Sequence, residues 1–294
     1  MIYVNTPLTP EIREAAAATW GVGGEGERLY GGEESAAYRL DGHVIRVGPE
    51  GRPASESEWC HSIARHAAAT LPEAVAPLLT PEGTTVVVVA GRPISCWPYV
   101  EGSWPDSDVP AQRVAGARLL ARLHRTLAAF DPGPRPAPAL QESGLYGDPP
   151  QDAAELADPD LDRWLAAFHA RHPLRHPLHG DYYTGNTLAR DGEIVAVLDW
   201  DETFVGAPEL ELAAAALEWG DDRTGPSAEF VAAYHEAGGT ATPLDEESLA
   251  QLVRHKLRRE YAYFHKAVGA GVVHDEEDLE YHQARIALFH RLRP

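Results

Sequence analysis

Asp181, Asn186 and Asp199 are the residues of this chain whose types and spacing are most readily turned to chemistry. The first two lie in His179-Gly180-Asp181-Tyr182-Tyr183-Thr184-Gly185-Asn186, the third in Val197-Leu198-Asp199-Trp200-Asp201. A carboxylate within hydrogen-bond reach of a hydroxyl can orient it and take its proton. An amide oxygen and a second carboxylate suit magnesium, a hard cation that takes a few fixed oxygens and keeps other positions for water or phosphate. Asp191-Gly192 marks a hairpin turn between strands at Thr187–Arg190 and Ile194–Leu198. That hairpin would bring all three side chains to one mouth. Asp and Asn also cap backbone amides in buried turns. Capping accounts for any one of these residues, but less readily for the ordered set.

The elements that must hold this mouth divide the chain in two. Thr9-Pro10-Glu11 starts a helix that runs to Trp20 and stops at Gly21. Strand-like pieces follow at Arg28–Tyr30, Ala37–Leu40 and His43–Val47, the last two joined by Asp41-Gly42. Ser55–Thr70 reads as a helix with Glu56, Cys60, Ile63 and Ala67 on one face. Strands are expected at Thr84–Val89 and Ile94–Tyr99. Beyond them the chain turns helical: Pro110–Ala129, Asp160–His172 and nearly everything from Glu209 onward, with a proline-rich loop at Asp131–Ala139. The expected fold class is α+β, with a small β-rich lobe over residues 1–98, a connector near 97–102, and a larger helical lobe over residues 103–294.

With these features in place, the sequence resembles the aminoglycoside phosphotransferase family. This is a branch of the protein-kinase-like superfamily that also holds choline-type and other small-molecule kinases. The Asp-x4-Asn spacing matches kinase catalytic loops, and the Leu-Asp-Trp-Asp pair completes the signature. The likeness runs from about Leu29 to Trp219. It implies a two-lobed kinase-like fold and transfer of the γ-phosphate of ATP or GTP to a hydroxyl of a small molecule. Asp181 would then be the base and Asn186 and Asp199 the Mg2+ ligands, with Asp201 ranked behind them.

The resemblance also places the nucleotide. Gly31, Gly32 and Ser35 lie between two strands, where the family's phosphate loop belongs, and glycine lets backbone N–H groups approach phosphate closely. Gly21–Gly26 satisfies GxGxxG but follows a helix, so it lacks the strand context and reads as a connector. The family usually has lysine on the third strand. Here Arg46 takes that place and can bind phosphate through two parallel hydrogen bonds. Its acidic partner is expected to be Glu56 rather than Glu58. Trp97-Pro98-Tyr99-Val100-Glu101-Gly102 resembles the adenine hinge, with the Pro98 carbonyl and the Val100 N–H as purine contacts. Glu211 is read as anchoring its helix to the catalytic region, and His179 as supporting the loop backbone. Gly180 stands where protein kinases carry arginine, and little room lies between Asp199 and Glu209 for an activation segment. Both features argue against a protein acceptor.

The formal charge of −20 argues against nucleic acid as a partner and suits a cationic acceptor, or simply solubility. Acidic and aromatic candidates for acceptor contact are Asp221, Asp222, Glu260, Asp275, Glu276, Glu277, Trp200, Trp219, Tyr261 and Tyr263. No apolar run reaches membrane-spanning length and no secretory leader is evident. The two cysteines, Cys60 and Cys96, form no metal-like pair, so a cytoplasmic setting is expected. The expected acceptor is a hydroxylated natural product such as a cationic antibiotic. A metabolic amino alcohol, sugar or homoserine-like compound stays open. A nucleotide-binding pseudokinase is a further rival, against which the intact Asp/Asn/Asp set argues. A metal-dependent hydrolase built on the His and Asp cluster would need a metal-ligand spacing that His169, His172, His176 and His179, close to Pro173 and Pro177, do not show.

Overall fold

The computed structural model describes residues 6–29, 35–136, 153–269 and 273–293. Helix α1 (Pro10–Trp20) begins as its signals dictate. Thr9 accepts the Ile12 N–H at the N-cap, proline sits at the first helical position, and Gly21 closes the helix in the left-handed region. It packs beneath an antiparallel five-stranded sheet of order β1-β2-β3-β5-β4. The strands are β1 (Glu27–Leu29), β2 (Ala36–Leu40), β3 (His43–Val47), β4 (Val87–Val89) and β5 (Arg92–Pro98). Ile12 and Ala16 of α1 meet Leu40, Ile45, Val47, Ile94 and Cys96 of the sheet in one buried cluster. Helix α2 (Ala54–Ala68) follows β3.

Strand β4 is shorter than its composition suggests. The Glu58 carboxylate accepts the Thr85 N–H (2.7 Å), the Thr85 hydroxyl (2.7 Å) and the Val86 N–H (2.9 Å). Those donors go to a side chain instead of a neighbouring strand, so pairing starts only at Val87.

The helical part begins with α3 (Pro110–Leu127) and α4 (Pro159–Arg171). Two hairpin-sized sheets follow. Strand β6 (His176–Leu178) pairs with β9 (Phe204–Gly206), and β7 (Thr187–Arg190) pairs with β8 (Glu193–Val197). Asp191 and Gly192 both have positive φ, 54° and 84°, as a type I′ hairpin turn requires. Then come α5 (Pro208–Trp219), α6 (Thr224–Glu236), α7 (Glu246–Gly269) and α8 (Glu276–Arg291). One core joins α2, α3, α5 and the β7–β8 hairpin through Ile63, Leu120, Leu123, Val197, Trp200 and Trp219. Another joins α4, α5, α7 and α8. Buried ion pairs from Arg254 to Asp158 (2.6 Å) and from Arg258 to Asp162 (2.7 Å) tie α7 to α4. No helix of the described residues is long and apolar enough to cross a membrane.

Candidate active site

The loop between β6 and β7 carries Asp181 and Asn186, and buried polar contacts fix its shape. Gly180 has φ +91°, and a Cβ there would lie 2.0 Å from the Glu202 carbonyl oxygen. No other residue fits, which explains why an arginine cannot stand before this aspartate. Glu211, 3% exposed near the start of α5, accepts N–H groups from His179 (3.2 Å) and Gly180 and pairs with His124 Nε2 (2.8 Å). Burial would push its pKa up. The contacts from His124, His179 and Gly180 outweigh burial and hold it below the usual glutamate value. The anchoring role read from the sequence is thus visible in the contacts. Replacing Glu211 by Gln puts an amide N–H2 among these donors. It should cost about 2 kcal/mol of stability, from hydrogen bonds lost in a buried site. An unchanged urea midpoint would count against this account.

His179 Nε2 bonds the Leu198 carbonyl oxygen (2.7 Å), and its Nδ1 accepts the Asp181 N–H (3.3 Å). Its two nitrogens thus join the loop to the end of β8. Asn186 donates its amide to Asp181 Oδ2 (2.8 Å) and to the Asp181 carbonyl (3.0 Å). The Leu198 N–H returns to the Asn186 carbonyl (2.8 Å), which sets Asp199 beside Asn186. Asp199 itself has φ +55°, a sparsely populated conformation that Asp tolerates better than most residues. Burial raises the pKa of Asp181, and Asp199 and Glu260 push the same way against Lys256 and His179. With its nitrogen given to Asp181, Asn186 has its amide oxygen to offer a cation, and Asp199 adds a carboxylate. Two such oxygens fit magnesium only together with phosphate or water. Among the described residues, no three His, Cys, Asp or Glu side chains gather as a metal cage.

Arg46 reaches from β3 across to this mouth. Its Nη2 lies 3.0 Å from Asp199 Oδ1 and 2.9 Å from Asp201 Oδ2. The expected pairing with Glu56 is not what the structure shows. Glu56 meets Arg52 (3.3 Å) and Arg135 (3.1 Å) instead. Arg52 lies four residues before Glu56, just ahead of α2. Arg135 arrives from the proline-rich loop, where it also donates to the Asp201 and Thr203 carbonyls. Asp201 is the centre of the group, taking Arg46, Arg52 (3.2 Å) and the Ser35 hydroxyl (3.4 Å). Burial would raise its pKa, but Arg46, Arg52 and His61 hold it down to about 2.

Of the phosphate-loop candidates, Gly31 and Gly32 lie outside the described residues, while Ser35 is buried against Asp201. Pro98 ends β5, and Ser103, just past the connector, exchanges two backbone hydrogen bonds with Ala189 of β7 (3.0 and 2.7 Å). Val44, Val100, Leu188 and Leu198 are partly buried against one core cluster. They come from β3, the connector, β7 and the end of β8, so the sheet and the helical part both supply apolar surface there.

The far side of Asp181 holds residues that sequence reasoning did not find. Lys256 of α7 is buried, pairs with Glu260 (3.1 Å), and lies within electrostatic reach of Asp181 and Glu218. Burial would lower its pKa, but Glu260, Asp181 and Glu218 raise it. Arg285 of α8 pairs with Glu218 (2.8 Å), Asp222 (3.2 Å) and Glu260 (3.9 Å). The available signal was compositional: Lys256 is one of two lysines in an arginine-rich chain. Trp200 and Trp219, named as acceptor contacts, are fully buried core residues. His169, His172, His176 and His179 are spread over the end of α4, its cap, β6 and the loop after β6.

A family model described as the phosphotransferase enzyme family matches residues 25–252. The chain belongs to that family. It is a phosphotransferase whose acceptor is an alcohol group. Among solved structures, the phosphotransferase is similar to an amicoumacin kinase in complex with AMP-PNP, Ca2+ and Ami (TM-score 0.70, 14% identity, 96% of this chain and 93% of that one). It is also similar to a spectinomycin phosphotransferase in complex with ADP and spectinomycin (TM-score 0.64, 15% identity, 97% and 95%). A third similar structure is a microcompartment-associated aminopropanol kinase (TM-score 0.65, 18% identity, 95% and 94%). At these identities the likeness establishes the two-lobed kinase-like fold. A search of curated proteins returned no match.

Proposed function

We propose that this phosphotransferase moves the γ-phosphate of ATP or GTP onto a hydroxyl of a small natural product, with Asp181 as the base. The observation that carries this reading is the Asp181–Asn186 contact at 2.8 Å in a loop that sets Asp199 alongside. Asp181 would orient the acceptor hydroxyl and take its proton, so catalysis is mostly positioning. Asn186 and Asp199 would hold Mg2+, which when bound offsets charge on the β- and γ-phosphates. Arg46 would grip the α- and β-phosphates, and Pro98 and Val100 the purine edge. The lobes would divide near residues 97–102, with nucleotide on the sheet side. Buried, unpaired Cys60 and Cys96 suit a reducing cytoplasm.

A cationic antibiotic is one acceptor class, and its phosphorylation would confer resistance. The amicoumacin and spectinomycin enzymes are similar in fold. A specific observation favours a second class. Asp222, Glu218 and Glu260 are paired with Arg285 and Lys256, so three acids face two cations and one net negative charge is left among them for an acceptor, too little for a polycation. A neutral or singly charged acceptor, such as a metabolic amino alcohol, fits that balance better.

The test is incubation with Mg2+, ATP or GTP and a panel of hydroxylated compounds graded by charge, read by mass spectrometry. A phosphorylated product that disappears with Asp181→Asn supports the reading and names the class. Tight nucleotide binding with no turnover on a broad panel would point to a pseudokinase instead.

A further inference from the structure

Asp201 has no role in the proposed transfer as described so far, yet its carboxylate is heavily contacted at the cleft. Its side chain is 14% exposed and meets two guanidinium groups at 2.9 and 3.2 Å and the Ser35 hydroxyl at 3.4 Å. Its carbonyl oxygen accepts Arg135 (3.2 Å) and the Cys60 thiol (3.6 Å). The same guanidinium nitrogen of Arg46 that meets Asp201 also meets Asp199. Arg46 further lies over the Trp97 ring, 5.9 Å from its centroid. A small cavity opens beside the cluster, lined by Ser35, Arg46, Arg52, His61 and Ser95.

We propose that Asp201 is a positioning residue for the nucleotide: it is the counter-ion that holds Arg46 in the cleft, in place of the α2 glutamate. This inference rests on the nucleotide-dependent reading of the site given above. If Asp199 turns to a cation, Arg46 loses one of the two carboxylates it meets among the described residues. A buried charge stripped of its partner is strongly unfavourable. Asp201 removes that penalty, because Arg46 keeps one anion while its remaining donors turn to phosphate oxygens. A guanidinium can do this because its five N–H donors lie along several edges, where an ammonium is a single point charge. Glu56 does not take the part: it meets Arg52 and Arg135, and Arg46 meets Asp199 and Asp201. Among the described residues three arginines (46, 52, 135) face Asp199, Asp201 and Glu56. Arg52 and Arg135 brace the two acids, and Arg46 is the member that faces the metal-ligand carboxylate.

The experiment is calorimetric binding of Mg·AMP-PNP to the full chain, with R46Q, D201N and the double variant. Each single change should weaken binding by at least about tenfold, as expected when one partner of a buried charge pair is removed. The double variant should be no weaker than the poorer single one, since Asp201 acts through Arg46. Wild-type-like affinity of a folded D201N, or losses that simply multiply in the double variant, would overturn the proposal. Should D201N not fold, a cycle between R46Q and E56Q decides in its place. Independent effects support Asp201 as the counter-ion, and coupling beyond about threefold assigns that part to Glu56. If wild-type protein itself binds neither Mg·AMP-PNP nor Mg·GMP-PNP, the nucleotide-dependent reading fails, and this inference with it.

Discussion

Asp181→Asn is expected to lower kcat by roughly 10²–10⁴-fold, the usual range for loss of a general base, while nucleotide affinity stays close to wild type. The substitution is nearly isosteric. Its amide oxygen can still accept the Asn186 amide that now lies 2.8 Å from Asp181 Oδ2, so the loop should keep its course. What disappears is the carboxylate proposed to accept the proton. Burial already raises the pKa of Asp181, with Lys256 as the largest opposing influence. The wild-type rate should therefore fall on the acid side at a higher pH than an exposed aspartate would give. Single-turnover measurements with the acceptor found by mass spectrometry check both points. An Asp181→Asn enzyme that turns over normally would remove Asp181 from the mechanism.

The second large effect is acid lability of the fold. Burial pushes His61 down to about 3, and His169 and His176 down to about 4. His61 is neutral beside Thr85 Oγ1 (2.7 Å), and His176 sits between the Pro177 carbonyl (2.7 Å) and Thr240 (2.8 Å). In the unfolded chain all three take a proton near pH 6.5. Between pH 6.5 and about 4 the unfolded state thus binds more protons than the folded one, and stability falls as pH falls. At 1.36 kcal/mol per pH unit each histidine removes about 2 kcal/mol by pH 5. Glu218 works in the opposite direction. Burial raises it to about 7, so it takes up a proton in the folded state first and offsets roughly one of the three histidines. The net loss from pH 7.5 to pH 5 should be a few kcal/mol, a large share of the 5–15 kcal/mol typical of a domain. Urea unfolding at the two pH values measures it, and a midpoint that does not move would refute the assignment.

The parts of the fold that depend on local pattern were legible in the sequence. Helix α1 announces itself through Thr9, Pro10 and Gly21, and the β7–β8 hairpin through Asp191-Gly192. The Asp181-x4-Asn186 spacing lies within one loop, so the sequence alone put those two side chains together. Strands β6 and β9 were not legible. Each has three residues, one of them Pro177, and three residues carry no period. The α2 glutamates were read by helical face alone. Face told Glu56 from Glu58, but it could not tell which arginine each would meet or that Glu58 would cap Thr85 and Val86. Arg46, Arg52 and Arg135 converge on residues 199–203 from three separate segments, and charges in an arginine-rich chain carry no local mark of their partners. Lys256 was missed because a charged residue on an amphipathic helix normally faces water. Here α7 is packed between α5 and α8, and that face is interior.

The arginine on β3 bears on how the enzyme can be detected in a cell extract. Acylating nucleotide probes label a strand lysine by capturing its amine in the deprotonated form. Arginine keeps its proton at any pH such probes tolerate, and no lysine occurs before Lys256. Arg46 would thus leave the nucleotide side of the cleft silent to amine-directed profiling. Any lysine adduct that did form would mark Lys256 or Lys266, both on α7 and neither on the sheet.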